Sequence, residues 1–137
     1  RRMGYQRALE EHGIPLNKEY IFYTKELGFE QGQQAMKKIL QLKERPSAVF
    51  AVSDLLAIGA LKEINAAGLR VPEDVAVVGF DKIDFSNMTN PTLTTVAQPM
   101  YKMGTISATM LIDKIQGRHV DSVVLEHELV IRESTSG

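Results

Sequence analysis

Residues 46–82, PSAVFAVSDLLAIGALKEINAAGLRVPEDVAVVGFDK, read as strand, helix, strand with the punctuation between them in place. Ala48 to Val52 is an apolar run too short for a helix and rich in strand formers. Ser53 and Asp54 follow; both residue types cap helix N-termini by accepting from an otherwise unpaired backbone N–H. Apolar residues then recur at Ala57, Ala60, Leu61, Ile64 and Ala67, and Gly68 suits a left-handed stop. Val71-Pro72 breaks the chain before Val75 to Phe80, a second run apolar at both alternating positions. A strand of that kind is covered on both faces, which predicts a parallel sheet in an α/β domain. The two strands hand over to Asp54 and Asp81, and the carboxyl edge of a parallel sheet is where ligands bind.

Outward from this unit the same rules continue. Residues 1–12 read as a helix with Gly4, Ala8 and Leu9 on its packing side, ended by Gly13. Tyr20 to Tyr23 reads as a short strand, and 29–42 as a helix with Phe29, Ala35, Met36, Ile39 and Leu40 at helical spacing. Downstream, 83–91 is a polar loop with one turn around Phe85 to Met88, and Leu93 to Val96 is strand-like. Residues 100–116 form a helix closed by Gly117. In the last strand, 122–131, Val123, Leu125, His127, Leu129 and Ile131 share a face. A sheet of this type that opens on a crossover helix lacks its first strand, so the chain reads as the later part of a longer protein.

With 137 residues the chain can build one domain with a sizeable core, and 44% hydrophobic against 24% charged residues is ordinary globular composition. No apolar run approaches membrane-spanning length. The absence of cysteine excludes disulfides and thiolate metal sites and fits a reducing compartment. A net charge of −1 argues against this segment gripping nucleic acid, because phosphate contacts need clustered Lys and Arg.

Four loops would gather on the carboxyl edge if the crossovers are right-handed. They carry Arg1, Lys25-Glu26-Leu27-Gly28, Ser53-Asp54 and Asp81-Lys82. A guanidinium, carboxylates and a hydroxyl beside an apolar side chain suit a neutral polyhydroxylated ligand, held by charge-assisted hydrogen bonds with one ring face covered. Each residue also has a plainer reading. Asp54 reads as a helix cap, whose removal costs about 1 kcal/mol. Ser53 suits a cap and a contact equally, Leu27 is an ordinary loop residue, and on spacing alone Arg1 is solvated. Asp81 resists the plain reading, since a carboxylate ending a buried strand costs desolvation unless paired. His12, His119 and His127 lack metal-ligand spacing and predict no metal. Ser53 lacks a G-x-S-x-G elbow, and neither a P-loop nor G-x-G-x-x-G is present, so neither catalysis nor a nucleotide cofactor has a signature.

Five motifs in order resemble one family. Arg1-Met3-Gly4-Tyr5 resembles R-x-x-G-aromatic, and Ser53-Asp54 with Ala57 and Gly59 resembles [N/S]-D-x-x-A-x-G. Val71-Pro72-Glu73-Asp74-Val75 with Val78-Gly79-Phe80-Asp81 resembles V-P-x-D-[IV]-x-[IV]-x-G-[FY]-D. Pro91 to Val96 resembles P-x-L-T-[ST]-[IV], and Arg132-Glu133-Ser134-Thr135 resembles a closing R-x-S-[ST]. These are marks of the lactose-repressor/galactose-repressor (LacI/GalR) transcription regulators. Gln98-Pro99-Met100-Tyr101 is most similar to Gram-positive catabolite-control and maltose-operon members.

The resemblance implies a doubly wound, type I periplasmic-binding-protein-like fold of two lobes with an effector in the cleft. Residues 1–96 would belong to the C-terminal lobe, 97–118 to a crossing and a helix of the N-terminal lobe, and 119–137 to the return crossing and last strand. The rest of the N-terminal lobe and a helix-turn-helix headpiece would lie outside this chain. Carried over residue by residue, Arg1, Leu27, Ser53, Asp81 and Gln98 match effector-binding positions, and Asp54 a structural cap. Leu27 stands where the family often has Phe or Trp, which weakens the case for ring stacking. Asn90 replaces a basic residue with which catabolite-control members bind a phosphocarrier protein, so that partner is not carried over.

The favoured reading is therefore the sugar-responsive part of a cytoplasmic, homodimeric repressor that meets operator DNA only through its headpiece. Its dimer surface would be the helix at 55–67 and the loop at 83–90, with Leu56, Ile58, Asn87 and Met88 as candidates. A secreted sugar-binding protein of a transport system is the alternative, against which the Arg132 to Thr135 ending speaks. An enzyme is disfavoured for want of a nucleophile–base pair or metal set.

Overall fold

The computed structural model describes residues 1–136. Helix α1 spans Arg2–Glu11, α2 Phe29–Leu40, β1 Ala48–Phe50, α3 Asp54–Ala66 and β2 Ala76–Asp81. Strand β3 follows at Thr94–Ala97, then α4 at Met100–Ile115 and β4 at Glu128–Val130. Short 3-10 helices occupy Lys18–Tyr20 and Asp84–Asn87. The strands lie in the order β1-β2-β3-β4. β1, β2 and β3 are parallel, in a register that sets Val49 beside Val77 and Gly79 beside Thr95. β4 returns antiparallel to β3. The expected α/β architecture is thus present, with a sheet that is mainly parallel.

The core lies between this sheet and the α2–α3 layer. Met36 and Ile39 of α2 meet Leu56, Ala57, Ala60, Leu61 and Ile64 of α3, over Val75, Val77 and Leu93. The two helices approach so closely that a Cβ on Gly59 would sit 2.1 Å from the Phe29 carbonyl oxygen and 2.9 Å from the Gln33 nitrogen. The glycine is therefore an element of the helix contact rather than a weak point in α3. The opposite face of β2 is covered less: Ala76, Val78 and Phe80 are half-buried.

The closing segment anchors this sheet. Ser134 is fully buried. Its Oγ donates to the Val77 carbonyl at 2.6 Å and accepts from the Thr94 N–H at 2.8 Å. Arg132 donates from Nη1 to Ser86 Oγ and to the Leu93 carbonyl, both at 2.9 Å. Thr92 donates its backbone N–H to Glu133 at 2.8 Å. These bonds join the chain end to β2, β3 and the Asp84–Asn87 turn, which gives the R-x-S-[ST] pattern a structural meaning.

Three expectations are corrected. Tyr20 to Tyr23 is not a strand: Ile21 has extended dihedrals, φ −104 and ψ 107. A groove of about 340 Å³ separates the segment from β1, lined by Tyr20 to Thr24 on one side and Ala48 to Val52 on the other. Without a neighbour to pair with, extended backbone makes no ladder. Only Glu128–Val130 of the predicted last strand is paired. Val123, Leu129 and Ile131 are exposed among the described residues, so the alternation at 122–131 does not mark a buried face. Nor does α1 bury its predicted side: Gly4 and Ala8 are exposed and Leu9 is half-buried, whereas Tyr5 lines the groove.

Two measurements follow from these contacts. Gly59→Ala forces α2 and α3 apart and lowers unfolding stability by about 1–3 kcal/mol, read by urea denaturation. The Arg70 guanidinium and backbone N–H both donate to Asp74 and hold its carboxyl down at about 2, against 3.8 ordinarily. Because the folded value is the lower one, this contribution is complete above the unfolded value and is lost as pH falls toward about 2. Wild-type protein should accordingly lose more thermal stability than Asp74→Asn between about pH 5 and about pH 2.

Candidate functional site

At the carboxyl edge of the sheet, Arg1 and Asp81 meet across 80 residues of sequence separation. Arg1 Nη2 donates to Asp81 Oδ1 at 3.2 Å, and its Nη1 donates to the Val52 carbonyl at the end of β1. The guanidinium lies over the Phe80 ring, 3.8 Å from its centroid, where the negative face of the ring attracts a cation. Gln98, just past β3, donates from Nε2 to the same Asp81 oxygen at 2.7 Å. Both donors thus fall on Oδ1, and Oδ2 takes no hydrogen bond among the described residues. The two side chains of the ion pair are 33% and 27% exposed, so the cluster is held in place yet open to a ligand. Beside Gln98 and Phe80 a cleft of about 500 Å³ opens, walled by Pro99, Met103 and Ser107 on one side and Val123, Leu125 and His127 on the other. His127 lines this cleft together with Val123 and Leu125, the residues expected on its face.

The backbone delivers Asp81 in an uncommon conformation. Asp81 has φ 113 and Lys82 φ 56, both in the left-handed half of the map. Non-glycine residues held there cost on the order of 1–3 kcal/mol each and persist only where their surroundings enforce them. Next to this turn lies Asp54, which is fully buried. Its Oδ2 accepts the Ile83 N–H at 2.8 Å and its Oδ1 the Thr95 hydroxyl at 2.6 Å. The Thr95 Oγ1 in turn accepts the Lys82 N–H at 3.3 Å. Burial pushes the Asp54 carboxyl above its ordinary value, with the hydrogen bonds from Thr95 and Ile83 pulling the other way and the charge of Asp81 adding to the rise. Gly79 leaves room for this arrangement, since a Cβ there would stand 2.2 Å from Asp54 Oδ1.

The capping roles are consequently exchanged. Ser53 is the N-cap of α3: its Oγ accepts from the Leu56 N–H at 3.3 Å. The same hydroxyl spends its one hydrogen on the Leu27 carbonyl at 3.2 Å and is buried. Asp54, expected as the cap, is the first helical residue and bonds across to the β2–β3 side instead. Leu27 is 50% exposed and joins the group through its carbonyl, leaving its side chain in the loop. Arg1, Asp81 and Gln98 therefore assemble, whereas Ser53 is buried with its hydroxyl committed to Leu27 and Leu56, and Leu27 lines the groove beside β1 instead of the cleft beside Gln98. Phe80 as a platform for Arg1, and Thr95 as a partner for Asp54, were not legible from spacing.

Of the residues expected on the outer face of α3, Leu56 is instead buried in the core against α2. The neighbouring helical position, Leu55, carries the exposure that was expected of it, and Ile58 is half-buried. Met88 and Phe85 are 74% and 67% exposed in the adjoining loop, where Asn87 is also exposed. No group of three or more potential metal-ligating side chains occurs among the described residues.

The family of periplasmic binding protein-like domains matches residues 1–135. The transcriptional repressor CytR of Escherichia coli (strain K12) is 43% identical over 137 aligned residues, covering 98% of this chain and 40% of that protein. A transcriptional regulator of the LacI type from Bacillus cereus subsp. cytotoxis NVH 391-98 superposes with a TM-score of 0.93 at 32% identity, over 98% of this chain and 48% of that one. The regulator CelR, solved as a cellobiose complex, gives a TM-score of 0.87 at 39% identity, over 96% of this chain and 40% of that one. The chain thus spans less than half the length of each. This chain belongs to the periplasmic-binding-protein-like domain family, in the form found in LacI-type transcriptional repressors.

Proposed function

We propose that this chain is the effector-binding and dimerisation part of a LacI-type regulator, with a sugar as effector. The observation that carries the reading is the convergence of Arg1 and Gln98 on one carboxylate oxygen of Asp81, beside a cleft, at the end of parallel strands. Asp81 Oδ2 and the guanidinium can accept from and donate to adjacent hydroxyls, and hydrogen bonds to charged groups are the stronger kind. The CelR likeness supports a carbohydrate as the occupant.

In this reading residues 1–96 and 119–137 make up one lobe, and α4 with its crossings, 97–118, belongs to a second. α4 carries no buried residue, and Tyr101, Leu111, Ile112 and Ile115 along it are exposed, which suits a helix completed by further chain. Closing the lobes around the effector changes the separation of two DNA-binding headpieces across a homodimer. By linkage, operator DNA then alters effector affinity by the same factor. The protein works in the cytoplasm without a cofactor and performs no catalysis. The dimer surface is the outer side of α3 and the adjoining loop, through Leu55, Ile58, Phe85, Asn87 and Met88.

Calorimetry of the full-length protein with ribose, glucose, maltose and cellobiose tests the site. At least one should bind, and Asp81→Ala should weaken that binding by about 2 kcal/mol, roughly thirtyfold in Kd. Unchanged affinity removes Asp81 from the site. Light scattering of the same protein at micromolar concentration should give a dimer, and Met88→Asp should shift it toward monomer. A monomeric wild type overturns the dimer.

A further inference from the structure

Asp54 does something its place at the head of α3 does not require. A helix start needs an acceptor for its free N–H groups, and Ser53 already supplies one. Asp54 points away from those groups and satisfies the Ile83 N–H and the Thr95 hydroxyl. Thr95 then holds the Lys82 N–H. Two adjacent backbone N–H groups, those of Lys82 and Ile83, are thereby fixed directly after Asp81, one through Thr95 and one by the carboxylate itself.

Those bonds bracket the two residues with positive φ. No glycine is available to make the turn at low cost, because positions 81 and 82 are Asp and Lys. Released from its restraints, such a turn relaxes toward ordinary dihedrals and swings the Asp81 side chain with it. A relaxed turn would part Asp81 from Arg1 and Gln98, whose donors reach Oδ1 at 3.2 and 2.7 Å. Close packing of Asp54 Oδ1 over Gly79 pins the carboxylate from the other side.

We infer that Asp54 is a positioning residue of the binding site: through Ile83 and Thr95 it locks the Asp81–Lys82 turn and so aims the Asp81 carboxylate at Arg1 and Gln98. The consequence for sugar affinity rests on the function proposed above; the positional claim does not.

The test uses full-length protein and a signal that does not need a ligand. The Gln98 side-chain amide donates to Asp81, so its proton and nitrogen NMR resonances report that bond. In Asp54→Asn and in Thr95→Val these resonances should move toward their positions in Asp81→Ala. A core variant, Leu61→Ala, lowers stability without touching the turn and should leave them in place. Cellobiose affinity, where wild type binds it, should fall roughly tenfold to a hundredfold in Asp54→Asn, the scale of losing one hydrogen bond to a charged group. Unmoved Gln98 resonances in folded Asp54→Asn overturn the inference. Should that variant fail to fold, unmoved resonances in Thr95→Val do the same. If no sugar binds wild type, the proposed function fails, while the amide resonances still decide whether Asp54 sets the turn.

Discussion

A carboxylate in a protein interior must have its lone pairs satisfied, or its burial costs several kcal/mol. Asp54 meets that constraint without a cation, by drawing one donor from the end of β2 and another from β3. Three parts of the chain that are distant in sequence, the head of α3, the turn after β2 and strand β3, are in this way tied at one point. The turn that follows Asp81 takes its two backbone hydrogen bonds from that tie. The left-handed turn, the direction of Asp81 and the nearness of Gln98 all lie within a few residues of it.

The opposite end of the sheet is fastened by different means. There Ser134 and Arg132 supply donors and acceptors to Val77, Leu93, Thr94 and Ser86. The Asp84–Asn87 turn thus lies between two restraints, one from Asp54 through Ile83 and one from Arg132 through Ser86. That turn presents Phe85 to solvent, with Met88 directly after it. Three residues, 82–84, separate Asp81 from the exposed Phe85.

Legibility followed the range of the interaction. The α3 start, its apolar repeat and the β2 run are written in neighbouring residues, and each element fell within a residue or two of its expected bounds. Tyr20 to Tyr23 failed because strand propensity describes what a segment can pair with, not whether a partner is present. Ser122 to Ile131 failed likewise, since alternation marks a face without saying what covers it. The outward face of α3 is not legible because the helix buries much of its circumference, Leu56 included, so a face cannot be chosen by spacing alone.

From sequence alone came the α/β class, the order of most elements, the motifs of the regulator family and the choice of Asp81 as a residue needing a partner. All of these rest on period, capping chemistry and desolvation cost, which act within a few residues. Only the tertiary structure decided that Ser53 caps α3 while Asp54 reaches across to Ile83 and Thr95. It alone brought Arg1 and Gln98, 80 and 17 residues away, onto the same oxygen of Asp81. Hydrogen bonds of that span depend on how strands are ordered and how a turn is held, and no local pattern encodes either.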